Sequence, residues 1–266
     1  MAGGLNNGSV FSFRRKKSDT VHEGPPQDEP GGDEAVAEVE FQDGGYAVDL
    51  VLCIDVTASM TSIIETVKRG ALSFHERLAR AMTLKEKPVG GLRIRVVAFR
   101  DFQADRTDPV RVGGFWRLPA EVGEFRRFVS GLRAAGGGDE PESGLEALAL
   151  AIDSDWDRDA ERRRHVIALF TDASAHPLGV GRQSPQYPAG MPADLDALWD
   201  RWGRGRAADA VMDAGAKRLL VFAPDRDPWT AIGGSWNNTL HSPSKAGTGL
   251  DDIEMDEVIG IIAGSV

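Results

Sequence analysis

From Tyr46 onward the apolar positions alternate between two rhythms, one of strands and one of helices. Val48-Asp-Leu-Val-Leu-Cys-Ile-Asp55 is a nearly unbroken apolar run between turn-like flanks, the pattern of a strand covered on both faces in a parallel sheet. After Met60 the spacing becomes helical, with Ile63, Ile64, Val67, Ala71, Phe74 and Leu78 on one stripe. This predicts a single helix that runs until Pro88 and Gly90-Gly91 intervene. Leu92-Arg-Ile-Arg-Val-Val-Ala-Phe99 predicts a second strand, and Val110 to Phe115 a third, short and on an edge. Helical spacing returns over Glu121 to Leu132 and Ser143 to Ile152, on either side of Gly136-Gly-Gly138. His165-Val-Ile-Ala-Leu-Phe-Thr171 and Arg218-Leu-Leu-Val-Phe222 read as further buried strands. A helix over Ala193 to Asp213, interrupted at Gly203-Arg-Gly205, lies between them. A short strand at Thr239 to Ser242 and a helix from Ile253 to Ala263 complete the series. Strand and helix alternating over residues 46–266 predict one doubly wound α/β domain with a mostly parallel central sheet flanked by helices.

Residues 1–45 break this pattern. They hold eight glycines and three prolines, and nine acidic residues stand between Ser18 and Gly45 with no Lys or Arg. Such a segment cannot bury enough apolar area to offset its ordering entropy, so a disordered acidic tail is expected. Within it Phe11-Ser-Phe-Arg-Arg-Lys-Lys-Ser18 is a basic patch, read as a solvated charge run or as a docking or kinase-recognition element.

Charge and composition narrow the function. The formal charge of −10 argues against binding nucleic-acid backbone as the main task. Cys53 is the single cysteine and permits no internal disulfide, which points to a reducing compartment. No apolar stretch reaches the length of a membrane span, and no apolar segment follows Arg14 to Lys17 as a secretory signal requires. A cytoplasmic protein without a membrane partner is expected.

In open α/β sheets ligands collect beyond the carboxyl ends of the strands. The first strand ends in Asp55-Val-Thr-Ala-Ser-Met60, where Asp55, Thr57 and Ser59 occupy alternate positions and can converge on one point. Thr171-Asp172 brings a second carboxylate to the same edge if the two strands are neighbours. The loop Gly136-Gly-Gly-Asp-Glu-Pro-Glu-Ser143 offers Asp139, Glu140 and Glu142 ahead of a helix. These hard oxygen donors, with neither thiolate nor an evident imidazole, match Mg²⁺ or Mn²⁺. Each piece also has a structural reading. Asp, Ser and Thr cap helix starts, and acidic residues are favourable at helix N-termini.

Taken together these motifs resemble the von Willebrand factor type A family and its metal ion-dependent adhesion site. Asp55-x-Thr57-x-Ser59 matches the family's first motif with Thr for its first Ser, and Thr171-Asp172 matches its third. Gly136 to Glu142 and Arg100-Asp101 are similar to the intracellular bacterial branch. The resemblance, which spans residues 46–266, implies a metal site of Asp55, Thr57, Ser59, Asp139 and Asp172. Asp139 stands where the adhesion members supply Thr, with Glu140 or Glu142 as alternatives acting through water. A third carboxylate should strengthen metal binding and weaken the pull on an acidic partner.

The resemblance further implies an adaptor or scaffold that recruits a protein partner, with an acidic side chain of that partner completing the metal site. Intracellular members are linked to MoxR-type ATPases, kinases, phosphatases or stress and defence assemblies. The competing reading is a Mg²⁺-dependent hydrolase or phosphatase with Asp55 as nucleophile. Enzymes of that kind carry a second carboxylate two residues on, where this chain has Thr57, and a Lys before a later acidic pair, absent near Asp172. No catalytic constellation is legible. Four smaller expectations complete the reading. His176 lies on the rim, Asp101 bonds the metal loops, pairs with Arg100 or caps its own loop, Trp199 and Trp202 pack in the core, and Gly233-Gly234 forms a turn.

Overall fold

The computed structural model describes residues 43–70, 73–138, 140–204, 210–248, 250 and 255–266. The chain divides into Met1–Ala37 and Glu38–Val266, and every described residue falls in the second unit. Most of the expected tail, and Asp139, lie outside the described residues.

The elements run β1 (Tyr46–Asp55), α1 (Thr61–Gly70), α2 (Phe74–Leu84), β2 (Val89–Phe99), β3 (Val110–Val112), β4 (Trp116–Leu118), α3 (Val122–Ser130) and α4 (Gly144–Ile152). They continue with β5 (Arg163–Phe170), α5 (Leu195–Trp202), β6 (Lys217–Pro224), α6 (Trp229–Ser235), β7 (Thr239–Ser244) and α7 (Met255–Ser265). The sheet order is β3-β2-β1-β5-β6-β7, with β4 also paired to β2. Neighbours from β2 through β7 are parallel, whereas β3 and β4 run antiparallel to β2. This is the α/β architecture expected from the alternation of strands and helices.

Burial on both faces explains the unbroken apolar runs. In β1, Leu50, Leu52 and Ile54 join a core formed with Val67, Phe74 and Leu78 on one side of the sheet. Val51 and Cys53 point the other way, into a core with Leu148, Trp202 and Trp229. Because both faces are covered, no polar alternation is left to mark the strand. The Cys53 thiol is pushed up to about 12 by burial, which makes it an inert core residue.

Four local expectations need correction. The single helix after Met60 is two, α1 and α2, and Ala71 of the expected stripe lies outside the described residues. Val110 to Phe115 is not one strand; β3 ends at Val112, and a separate β4 begins at Trp116. The helix expected to reach Asp213 stops at Trp202, directly before the glycine interruption. Gly233-Gly234 lies inside α6 rather than in a turn. A Cβ on Gly233 would sit 2.5 Å from the Cβ of His241 on β7, so the glycine serves a close helix–strand approach. Gly233→Val should therefore cost about 1–3 kcal/mol by overpacking, read as a lower midpoint in urea denaturation.

Trp199 and Trp202 both stack on Trp236, and Trp202 is fully buried, so they pack the core as expected. The ammonium of Lys217, also fully buried, donates to the Trp202 and Gly203 carbonyls at the end of α5 and lies over the Trp202 ring. A cation is favourable there because the last carbonyls of a helix carry partial negative charge.

Candidate metal centre at the sheet switch point

The chain leaves β1 outward to β2 and returns on the other side of β1 with β5. The reversal of strand order opens a crevice above the carboxyl ends of β1 and β5. The parallel register pairs Ile54 with Phe170, so Asp55 and Thr171 follow side by side. The neighbour relation that the sequence reading required is met.

Asp55 is fully buried. Its Oδ1 accepts from the Thr57 amide at 2.9 Å and the Thr57 hydroxyl at 2.6 Å, and its Oδ2 accepts from the Thr171 hydroxyl at 2.7 Å. The Ser59 hydroxyl lies 3.4 Å from that of Thr57 and donates to Asp172 Oδ1 at 2.9 Å. A chain of hydroxyls thus links two carboxylates from neighbouring strands. Ser59 is exposed, whereas Asp172 is 2% exposed, so the crevice opens beside Ser59. The structure brings Asp55, Thr57, Ser59 and Asp172 together, and Thr171 joins them.

The second loop supplies Glu142. Its amide donates to the Ser174 carbonyl, and its carbonyl accepts from the His176 amide, which ties this loop to the segment after β5. Gly137 holds a positive φ of 78°, and a Cβ there would lie 2.9 Å from both Thr57 Cβ and Glu142 Oε1. A glycine is therefore required where the two loops press together. Glu140 points elsewhere and pairs with Arg226 at 2.9 Å.

Asp101 accepts from the Gln103 and Ala104 amides, which caps its own loop, and lies 3.4 Å from the Ser143 hydroxyl and 3.6 Å from His176 Nε2. Arg100 turns away from it and donates to the carbonyls of Arg133, Ala135 and Asp108. The Arg100–Asp101 pair considered from the sequence is not formed. Asp105, which the sequence reading did not single out, accepts from the Gly137 amide at 3.0 Å. Its only signal was its place in the loop that follows β2.

Negative charge accumulates here. Burial pushes the Asp55 carboxyl up to about 6, against the hydrogen bonds from Thr57 and Thr171 and with the help of the Asp172 charge. Burial pushes Glu142 up to about 9, helped by Asp55, Asp101, Asp105 and Asp172. Glu142 Oε2 is buried without a hydrogen-bond partner, and neither Asp55 nor Glu142 is ion-paired among the described residues. Uncompensated buried carboxylate of this kind is costly unless a cation or a proton joins it. Among the described residues no three carboxylate, imidazole or thiolate groups converge into a cation cage on their own. The donor set that does converge is two carboxylates with hydroxyls, hard oxygen suited to a small divalent cation.

No protein-family model matches the chain. Alpha-protein kinase vwkA of Dictyostelium discoideum is 30% identical over 145 residues, 54% of this chain and 21% of that protein. The chain thus spans about a fifth of the curated relative's length. Solved structures similar in fold include the pilus adhesin SpaC of Lactobacillus rhamnosus GG, at 13% identity and a TM-score of 0.49, over 84% of this chain and 31% of that one. Proximal thread matrix protein 1 of the mussel byssus matches at 11% identity and a TM-score of 0.48, over 82% and 48%. A von Willebrand factor type A protein from Catenulispora acidiphila matches at 15% identity and a TM-score of 0.45, over 81% and 42%. The structural neighbours of this chain thus include a von Willebrand factor type A domain and proteins of similar architecture.

Proposed function

We propose that this chain is a von Willebrand factor type A module of the metal-dependent kind, and that it recruits a protein partner as an adaptor. The observation that carries the reading is the hydroxyl-bridged pair of buried carboxylates, Asp55 and Asp172, at the switch point of the sheet. Mg²⁺ or Mn²⁺, when bound, would supply a positive charge that attracts a carboxylate of the partner. Asp55, Thr57, Ser59 and Asp172 would hold it, and Asp139 belongs to the same proposal from its place in the second loop. Thr171 fixes the Asp55 carboxylate from the neighbouring strand, and Glu142, which burial keeps protonated in the absence of a cation, stands behind it as a further oxygen donor.

The phosphatase reading is less well supported. Both oxygens of Asp55 accept hydroxyl protons and the residue is fully buried, a poor position for an attacking nucleophile. Immobilised chain should retain a lysate protein in Mg²⁺ and release it on chelation, and Asp55→Asn should retain none. Retention that is equal with and without chelator would remove the metal from the mechanism.

A further inference from the structure

A second site stands on the outer part of the sheet, away from the carboxyl-end rim. Arg93 on β2 and Arg117 on β4 are directly paired across the antiparallel ladder, so two like charges share one face. Arg95, two residues along β2, points to the same side. Like charges placed opposite one another destabilise a sheet unless something neutralises them. The three arginines line a cavity of about 370 Å³, within the size range of small-molecule sites, and Phe115 forms part of its wall.

Only one of the three is neutralised at contact distance. Arg93 makes a two-pronged ion pair with Asp49, at 2.7 and 2.6 Å, and lies over the Phe115 ring. Arg95 bonds neutral oxygens alone, the Gly113 carbonyl at 3.1 Å and the Ser154 hydroxyl at 2.8 Å. Its guanidinium is held below the ordinary range by burial. Arg117 forms no ion pair among the described residues. Two carboxylates also line the cavity, and neither is in ion-pair contact with an arginine. Glu121 accepts from the Arg117 main-chain amide, and Asp155 gives Arg93 its main-chain oxygen.

We infer that this cavity binds a phosphomonoester, with Arg95 and Arg117 gripping the phosphate and Phe115 facing the group that carries it. Two guanidiniums outside any ion pair, with the Asp155 charge acting on Arg95 only from beyond contact distance, match a group of charge about −1.5 to −2 at neutral pH, where a single carboxylate would leave one of them unmatched. The planar fork of arginine suits phosphate oxygens in pairs. The cavity is larger than a bare phosphate needs, and its aromatic wall favours an organic carrier.

Titration calorimetry in chelator, which keeps the carboxyl-end site out of the measurement, tests this with three probes: inorganic phosphate, O-phosphoserine and phenyl phosphate. Saturable binding is expected, weakened about tenfold or more by Arg117→Gln, whose exposed side chain is not needed for folding, and similarly by Arg95→Lys. Asp155→Asn should tighten it by removing a competing charge. Tighter binding of phenyl phosphate than of inorganic phosphate supports a carrier facing Phe115; equal binding of all three probes overturns the assignment to a monoester. No saturable binding, or binding unchanged in both arginine variants, overturns the inference.

Discussion

Millimolar Mg²⁺ or Mn²⁺ is expected to raise the melting temperature of this chain by roughly 5–10 °C over the same sample in chelator. A ligand that binds only the folded state at a hundred times its Kd adds about 2.7 kcal/mol, and each kcal/mol moves the midpoint by roughly 2–4 °C at this chain length. The effect should be large because the buried carboxylates meet no ion-pair partner among the described residues at Asp55 or Glu142. Asp55→Asn keeps the shape of the side chain and, through its amide oxygen, the acceptor for Thr57, while its NH2 faces the Thr171 hydroxyl as a donor; the charge is removed, so the variant should fold and lose the shift. Asp172→Asn should behave alike. A midpoint indifferent to metal, or a shift intact in both variants, would displace the cation from this crevice.

Glu142→Gln is expected to stabilise the protein in chelator at pH 8 and to reduce its response to Mg²⁺. The folded state holds a proton on Glu142 up to about pH 9, whereas an exposed glutamate releases it near its ordinary 4.5. Stability from this group is therefore full below about pH 4.5 and is lost progressively as pH rises toward 9. Between pH 6 and 8 the loss amounts to about 2–3 kcal/mol, one proton taken up per molecule over two pH units. Asp55, raised to about 6, has the same sign and completes most of its loss by that pH. Chemical denaturation of wild type at pH 6 and 8 should show this decline, and Glu142→Gln should flatten it. A variant that is less stable than wild type at pH 8, or that keeps the full decline, would mean that Glu142 is held by a partner as a carboxylate.

The two carboxylates were legible in the sequence for different reasons. Asp55 closes a run of eight residues with the pattern of a covered strand, so its place at a carboxyl end follows from local pattern. Asp172 follows a run of the same kind, but its nearness to Asp55 depends on β5 lying beside β1. Glu142 was one of three acidic candidates in a loop without periodicity. Its place beside the site rests on long-range contacts with Ser174 and His176, while Glu140 turns toward Arg226 and Asp139 lies outside the described residues. The division between α1 and α2 was hidden because the apolar stripe continues across it, and periodicity records a face, not continuity of the backbone. α6 was hidden because glycine pairs usually mark turns, and only its packing against His241 gives Gly233 another purpose.

By itself the sequence determined the long buried strands, most helices, the parallel character of the sheet and the oxygen-rich ends of β1 and β5. These are consequences of burial, which each residue's neighbours along the chain record in their spacing. Tertiary structure decided which loops meet, that Thr171 and Glu142 join Asp55, and that Arg93, Arg95 and Arg117 share one cavity. Those relations arise from strand order and cross-strand register, where residues far apart in the chain become neighbours. The electrostatic environment of each carboxylate and guanidinium is set by those neighbours.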